Sequence, residues 1–393
     1  MTSMMVQRST PYAIFCRLCG CFFIHNFRGK SLRNAKVALK SRYTFYSFSW
    51  FLLYMFLEAL FSKRFGYVIR NISDPLSRAL MLVVLGVGLV KLITNLAVMI
   101  LKPDKLLAFF RESEAFEMTT EFLPQAHSLR NSAAYGWHAV RAFSAVVGLG
   151  LFFIEAERFI IVELSQSLSP QWSVPLRVIG FVAGTGYVAY DSLSYFFLRN
   201  CTKVLVKYIQ VQVELFQKVG KLNNFYFLAQ SPHQVEAMRL RINKIKKLKE
   251  SLNAIWAEPL IVACAGTIII DCVVVDALVH DGIKKELWLA AGYSVYSTLC
   301  FIDLAHTGQT LIDEVRKLKS AILMVPAFGA PESCLQQLRY LHESVQPEGM
   351  GLSGGSFFVL KRSLLLSMTG SIIIFGVILI QTSNTMTLKV NAA

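Results

Sequence analysis

Gln381 closes the apolar run Ile378-Leu379-Ile380, and after the neighbouring Thr382 only eleven residues of the 393-residue chain remain. A carboxamide at the end of an apolar helix costs free energy in hydrocarbon unless it faces water, another subunit or a ligand. Lys91 is the one deep cation of the apolar stretches, and Asp271 and Asp276 are acids within another. Groups of this kind hold ligands, ions or helix partners, and the sequence offers little for bond-making chemistry. It has no His-Glu-x-x-His, no Gly-x-Ser-x-Gly and no phosphate-cradling glycine loop, and its seven histidines (25, 127, 138, 233, 280, 306, 342) lack ligand spacing. An enzyme is not expected, nor a metal or another cofactor.

These residues must be positioned by helices that cross a bilayer. The chain is 54% hydrophobic with a mean hydropathy of +0.48, more apolar surface than one soluble core can hide. Runs near the roughly 20 residues of a spanning helix fall at 43–61, 79–101, 134–154, 176–200, 254–280, 286–306 and 363–382. The expected fold class is an all-α membrane protein with seven transmembrane helices, multi-pass in the plasma membrane.

Orientation follows from charge. Residues 1–42 hold eight Lys and Arg and no acid; loops 102–133, 201–253 and 307–362 hold four, ten and six. The alternate segments 62–78, 155–175, 281–285 and 383–393 hold four, one, two and one. Cytoplasmic loops collect basic residues, so the N-terminus is expected inside and the C-terminus outside, opposite to a G-protein-coupled receptor. The net charge of +15 is thereby a signature of topology, and nucleic acid is not expected as a partner. No signal-peptide apolar core precedes the first span, so 1–42 should form a cytosolic N-terminus and 383–393 an extracellular tail. Of two glycosylation sequons, Asn71-Ile72-Ser73 falls outside in this topology and Asn200-Cys201-Thr202 does not. The cysteines avoid the outer loops, so no disulfide framework is implied, and Cys16, Cys19 and Cys21 lack a second pair at zinc spacing.

The inner loops are the long ones. Segment 201–253 has helical periodicity broken near Ser231-Pro232, predicting that the fourth helix runs on into the cytosol and a second helix returns to the fifth span. Its basic stretch 239–249 reads as a solvated helix or as a site for calmodulin or anionic lipid. Loop 307–362 holds two helical pieces, Thr310 to Met324 and Glu332 to Ser344, split by Pro326 and Pro331. Gly180, Gly184 and Gly186 form a small-residue face suited to close helix packing. Transporter-type internal repeats are not visible.

The end of the chain reads Gly355-Ser356-Phe357-Phe358, a Leu364-Leu365-Leu366 run, then Ile374-Phe375-Gly376-Val377-Ile378-Leu379-Ile380-Gln381-Thr382. This resembles the C-terminal signature of the insect gustatory receptors, ligand-gated cation channels related to the insect odorant receptors: Thr-Tyr, five apolar residues, Gln-Phe. Gln381 and the spacing are kept, while Ile374, Phe375 and Thr382 depart from the pattern. The resemblance implies a homotetramer or heterotetramer with related subunits, opened by a small-molecule tastant and passing cations. The final helix of each subunit would line a central pore, and the inner ends of helices four to seven would form a cytosolic anchor between subunits. Ligand would bind in the outer half of helices 1–6, within 43–306. In sugar-sensing members the residue after Tyr is often Glu; here it is Gly376, which weighs against the main sweet-receptor group and leaves fructose-like, bitter or other ligands.

Helical geometry reaches part of this independently. Gln381 shares a face with Ile374, Val377 and Ile378, and copies around an axis would place an amide ring above an apolar constriction, with Thr382 beside it. The other use for Gln381 is a hydrogen bond to a neighbouring helix. Polar and aromatic residues expected in the outer halves of the spans are Glu58, Glu155, Tyr187, Tyr190, Asp271, Asp276, Trp288, Tyr293 and Tyr296, with helix packing or interfacial anchoring as their alternative use. A Lys91–Asp271 pair would be structural, whereas an unpaired Asp271 or Asp276 in a wet cavity would suit hydroxyl-rich ligands such as sugars. A metabotropic seven-helix chemoreceptor or a small-solute transporter is the competing class.

Overall fold

The computed structural model describes residues 3–27, 31–70, 75–120, 122, 174, 175, 178, 186, 187, 189–221, 232–280, 287–325 and 331–391. The expected third span at 134–154 lies outside them, as do Glu155 and the Asn71 sequon. The described helices are α1 (Met4–Leu18), α2 (Arg42–Arg70), α3 (Pro75–Leu101), α4 (Pro103–Thr119), α5 (Leu193–Lys221), α6 (Pro232–His280), α7 (Leu287–Leu323), α8 (Glu332–Ser344) and α9 (Arg362–Asn391). Two short antiparallel hairpins accompany them: β1 (Ile24–His25) with β2 (Lys36–Val37), and β3 (Ser353–Gly354) with β4 (Phe358–Val359).

Long helices replace separate membrane and loop segments. α6 is continuous over 49 residues, from the turn at Pro232 through the basic stretch and on to His280. α7 runs 37 residues into the piece beginning at Thr310, and α9 continues through 383–391, part of the expected tail. Among the described residues, Arg78–Leu101 and Pro232–Leu278 contain windows long and apolar enough to cross a membrane, and Arg362–Ile378 is a shorter apolar helix. Their surroundings are apolar as well. Phe45, Phe48, Leu52 and Phe56 leave an exposed stripe at helical spacing on α2, and Leu82, Val83, Val90 and Ile93 do so on α3. Exposed apolar faces of this extent match a hydrocarbon solvent better than water.

The described residues of the N-terminal segment pack into the fold. α1 buries Met4, Met5, Val6, Ser9, Ala13 and Cys16, and its first turn is held by a carboxylate of α4. The Met4 and Met5 amides donate to Glu117 Oε2 (2.6 Å) and Oε1 (3.0 Å), and the Tyr208 hydroxyl of α5 donates to the same carboxyl group. A carboxylate at a helix N-terminus satisfies orphan N–H groups and meets the positive end of the dipole. Burial nevertheless pushes the Glu117 pKa up, against the lowering by Tyr208 and the two amides. A carboxyl group whose folded pKa exceeds its unfolded value stabilises the fold most below the unfolded value, about 4.5, and that contribution is lost as pH rises through the folded pKa. Protection factors of the α1 amides, corrected for the intrinsic pH dependence of exchange, should therefore be higher just above pH 4.5 than at pH 7, and Glu117→Gln should remove that difference; an unchanged pH response would clear Glu117.

β3 and β4 deliver the chain into α9. Gly355, at φ +60°, makes the turn, and a side chain at Gly354 would meet the Phe358 ring at 2.5 Å. The Leu360 carbonyl then lies 2.7 Å from where a Gly308 Cβ would stand, so α7 and the start of α9 touch backbone to side. Gly308→Ala should push this entry apart and cost about 1–3 kcal/mol, read as a lowered melting temperature of the purified protein, whereas Gly370→Ala, with open space around it, should not.

Candidate functional site

Lys91 sits in the interior of α3 and faces the short segment that precedes α5. Its Nζ is 3.0 Å from Asp191 Oδ1, and the Tyr293 hydroxyl of α7 donates to the same oxygen at 2.7 Å while lying 3.2 Å from Lys91 Nζ. Side-chain exposures of 11% for Lys91 and 3% for Asp191 put the pair in the interior, where an ion pair holds only if each charge keeps its partner. One turn along α3, the Asn95 amide donates to the Tyr190 and Asp191 carbonyls at 3.0 and 2.9 Å, locking the backbone where the chain passes into α5. Residues i and i+4 share a helix face, so the same side of α3 holds both the carboxylate and the backbone beneath it.

Four of the expected aromatic residues gather here. Tyr187 lies 6.5 Å from Tyr293 between ring centroids, Tyr293 is 6.5 Å from Tyr296, and Tyr54 of α2 stands 6.0 Å from both Tyr187 and Tyr190. A cavity of about 30 Å³ lies beside the ion pair, with Ser192, Thr267, Tyr296 and Ser297 among its lining. That space accepts a water-sized group and falls far below the roughly 300–1,000 Å³ of a small-molecule pocket.

A second rung follows on the same two helices. Asp191, Tyr195 and Arg199 recur every four residues, and Arg199 Nε donates to Asp303 Oδ2 at 2.6 Å, joined there by the Tyr195 hydroxyl at 2.9 Å. One guanidinium nitrogen of Arg199, Nη2, is buried without a hydrogen-bond partner. The Asn200 side chain of the second sequon is buried in the same turn.

Asp271 is not the partner of Lys91. It accepts hydrogen bonds from the hydroxyls of Ser294 and Thr298, the latter at 2.8 Å, and so ties α6 to α7 rather than facing a wet cavity. Asp276 is buried on the same helix. Trp288 lies in the first turn of α7 and Glu58 in α2, with side chains outside the described residues. The residues that sequence reasoning missed are Asp191, Tyr54, Tyr195, Arg199 and Asp303. Three of them are charged groups within apolar runs, the signal that singled out Asp271.

The last helix presents a different surface. α9 packs through Met368 and Gly376, the latter with Val275 of α6 3.5 Å from where its Cβ would stand. Ile374, Val377 and Ile378 are 48–61% exposed, and Gln381 continues their face, also exposed. Thr382 follows in the helix, its side chain outside the described residues. Elsewhere, the basic stretch 239–249 buries Ile242, Ile245, Leu248 and Lys249, and Arg239 is paired with Glu236 at 2.6 Å. The apolar face a calmodulin-like partner would grasp is therefore occupied by the fold itself. All eight cysteines are free thiols, and among the described residues no cluster of His, Cys, Asp or Glu could hold a metal ion.

Residues 203–391 match the family model described as Trehalose receptor. The whole fold is similar to the structure of the insect olfactory receptor OR5 from Machilis hrabei in complex with eugenol, with 13% identity, a TM-score of 0.64, and coverage of 95% of this chain and 97% of that one. A second structure of that receptor matches at 12% identity and a TM-score of 0.65, with the same coverage. No curated protein matches by sequence. The family match covers residues 203–391, and the fold over nearly the full length is the one seen in the olfactory receptor structures.

Proposed function

We propose that this receptor is a tastant-gated, non-selective cation channel of the plasma membrane, with α9 of each subunit of a tetramer lining one central pore. The observation that carries this reading is the face of α9. Its opposite side packs on α6, while Ile374, Val377 and Ile378 remain exposed in line with Gln381. Around a symmetry axis that face makes an apolar gate below a ring of amides, which lets cations pass without binding them tightly.

The ligand reading centres on Lys91, Asp191 and Tyr293 with the tyrosines around them, in place of an unpaired Asp271. Ammonium, carboxylate and phenol groups set among aromatic faces suit a small, hydroxyl-bearing molecule. A sugar fits that chemistry, in keeping with the description of the matching family model, although Gly376 stands where many sugar-sensing members carry Glu. Ligand would wedge α3, α5 and α7 apart, and the movement would pass along α6 and α7 to α9.

The test is surface labelling of a C-terminal epitope on intact cells, with an N-terminal epitope as the permeabilised control. Labelling of the C-terminus outside, and of the N-terminus only after permeabilisation, is the expected result. A cytosolic C-terminus would remove both the seven-span orientation and the pore role of α9.

A further inference from the structure

We propose that the folded N-terminal segment carries a binding site for the phosphate-bearing headgroup of an anionic phospholipid of the inner leaflet. The site is a cavity of about 450 Å³ between α1, β1 and the first turns of α2. One wall is cationic and polar. Arg17 is fixed in it by two contacts, Nη1 donating to the Ile24 carbonyl at 2.7 Å and the guanidinium stacking 4.8 Å from the Tyr43 ring centroid. A guanidinium so placed keeps donors in reserve for a phosphate, the anion its planar fork matches best. His25 and Asn26 stand exposed at the rim, Asn26 in the left-handed region at φ 58°. The lining contains no carboxylate, and residues 1–42 hold eight basic side chains and no acid.

The other wall is apolar, formed by Ala13, Ile14, Leu18, Phe22 and Phe27. At the lip Leu18 is 64% exposed, and Tyr46 of α2, whose hydroxyl donates to the Leu18 carbonyl, is 41% exposed. With the first span expected from residue 43, this lip would lie at the boundary between headgroups and acyl chains. A free phosphate metabolite would use the cationic wall alone, whereas a phospholipid uses both. Basic clusters next to a membrane helix attract anionic lipid at about 1 kcal/mol per Lys or Arg, and here the cluster has a shaped cavity within it. The site rests on the N-terminus lying inside and is separate from the ligand and pore readings.

The test uses the purified full-length receptor, delipidated in detergent and given equal concentrations of dioleoyl phosphatidylinositol and dioleoyl phosphatidylcholine, with retained lipid counted by native mass spectrometry. Wild type is expected to retain phosphatidylinositol preferentially. Arg17→Gln should lower that retention about fivefold, the equivalent of one basic contact. Because Arg17 also braces the segment, Ile14→Trp serves as a second variant that fills the cavity and leaves every charge in place; it should lower retention equally. Equal retention of the two lipids, or undiminished phosphatidylinositol on Ile14→Trp, would overturn the site. Displacement of the lipid by an equal concentration of soluble inositol phosphate would overturn the lipid in favour of a free phosphate. Sidedness is decided separately by the epitope labelling, since lipid retention in detergent does not depend on orientation.

Discussion

Asp191→Ala is expected to cost the receptor about 3–5 kcal/mol, because it strands the buried Lys91 ammonium without its carboxylate and takes the acceptor from Tyr293. The measurable result is a collapse of the monodisperse peak in detergent and loss of surface protein. Lys91→Met should be milder, since Asp191 still accepts from the Tyr293 hydroxyl. Joining Lys91→Met with Asp191→Leu removes both charges and should restore much of the folded protein. That order separates an ion pair kept for stability from one kept for ligand. A double variant that folds but no longer answers any tastant would assign the pair to recognition. Equal losses in the two single variants and the double would show that volume, not charge, is what the site needs.

Gln381→Glu should change which ions pass while leaving assembly intact, because residue 381 is exposed on the subunit and packs no core. A carboxylate about 6 Å from a passing monovalent cation in water-like surroundings contributes about 0.7 kcal/mol, roughly threefold in local cation occupancy per charge. A ring of four would multiply that, and divalent ions gain most. Calcium permeability relative to sodium should rise several-fold, read from reversal potentials, while Gln381→Ala should shift gating without that gain. Unaltered reversal potentials in a well-expressed Gln381→Glu receptor would take α9 out of the permeation path.

Much of the helical order is legible in the amino acids. The break at Ser231-Pro232 and the boundaries of α8 at Glu332 and Ser344 follow from proline and helical periodicity. α4 could have been read too, since Pro103 and Asp104 open it with helix-start residues; a search tuned to apolar runs passes over so polar a helix. α1 is a different case. Its apolar residues follow no helical stripe, and it is held by Glu117, more than a hundred residues away, which no local pattern announces. In the candidate site, the tyrosines were visible as aromatic residues in apolar spans, but the pairing was not. Lys91 had several acids to choose from, and the choice of Asp191 over Asp271 depends on which faces of α3, α5 and α7 turn inward. Ser294 and Thr298 settle the matter from the other side by meeting the Asp271 carboxylate.

The unbroken length of α6 makes it a lever. Forty-nine residues span about 73 Å, and a tilt of about 4° about Pro259 would carry the two ends about 3 and 2 Å in opposite directions. Pro259 fixes where the rod yields, because its ring leaves the Ile255 carbonyl without an intrahelical donor. One arm runs from Pro232 through Asn253, which holds Ser353 of the hairpin feeding α9 at 3.0 Å. The other carries Asp271, bound to α7, and Val275, against Gly376. A small displacement beside Tyr293 thus reaches the entrance and the middle of the last helix through one mechanical part, with the fulcrum written into the sequence as a single proline.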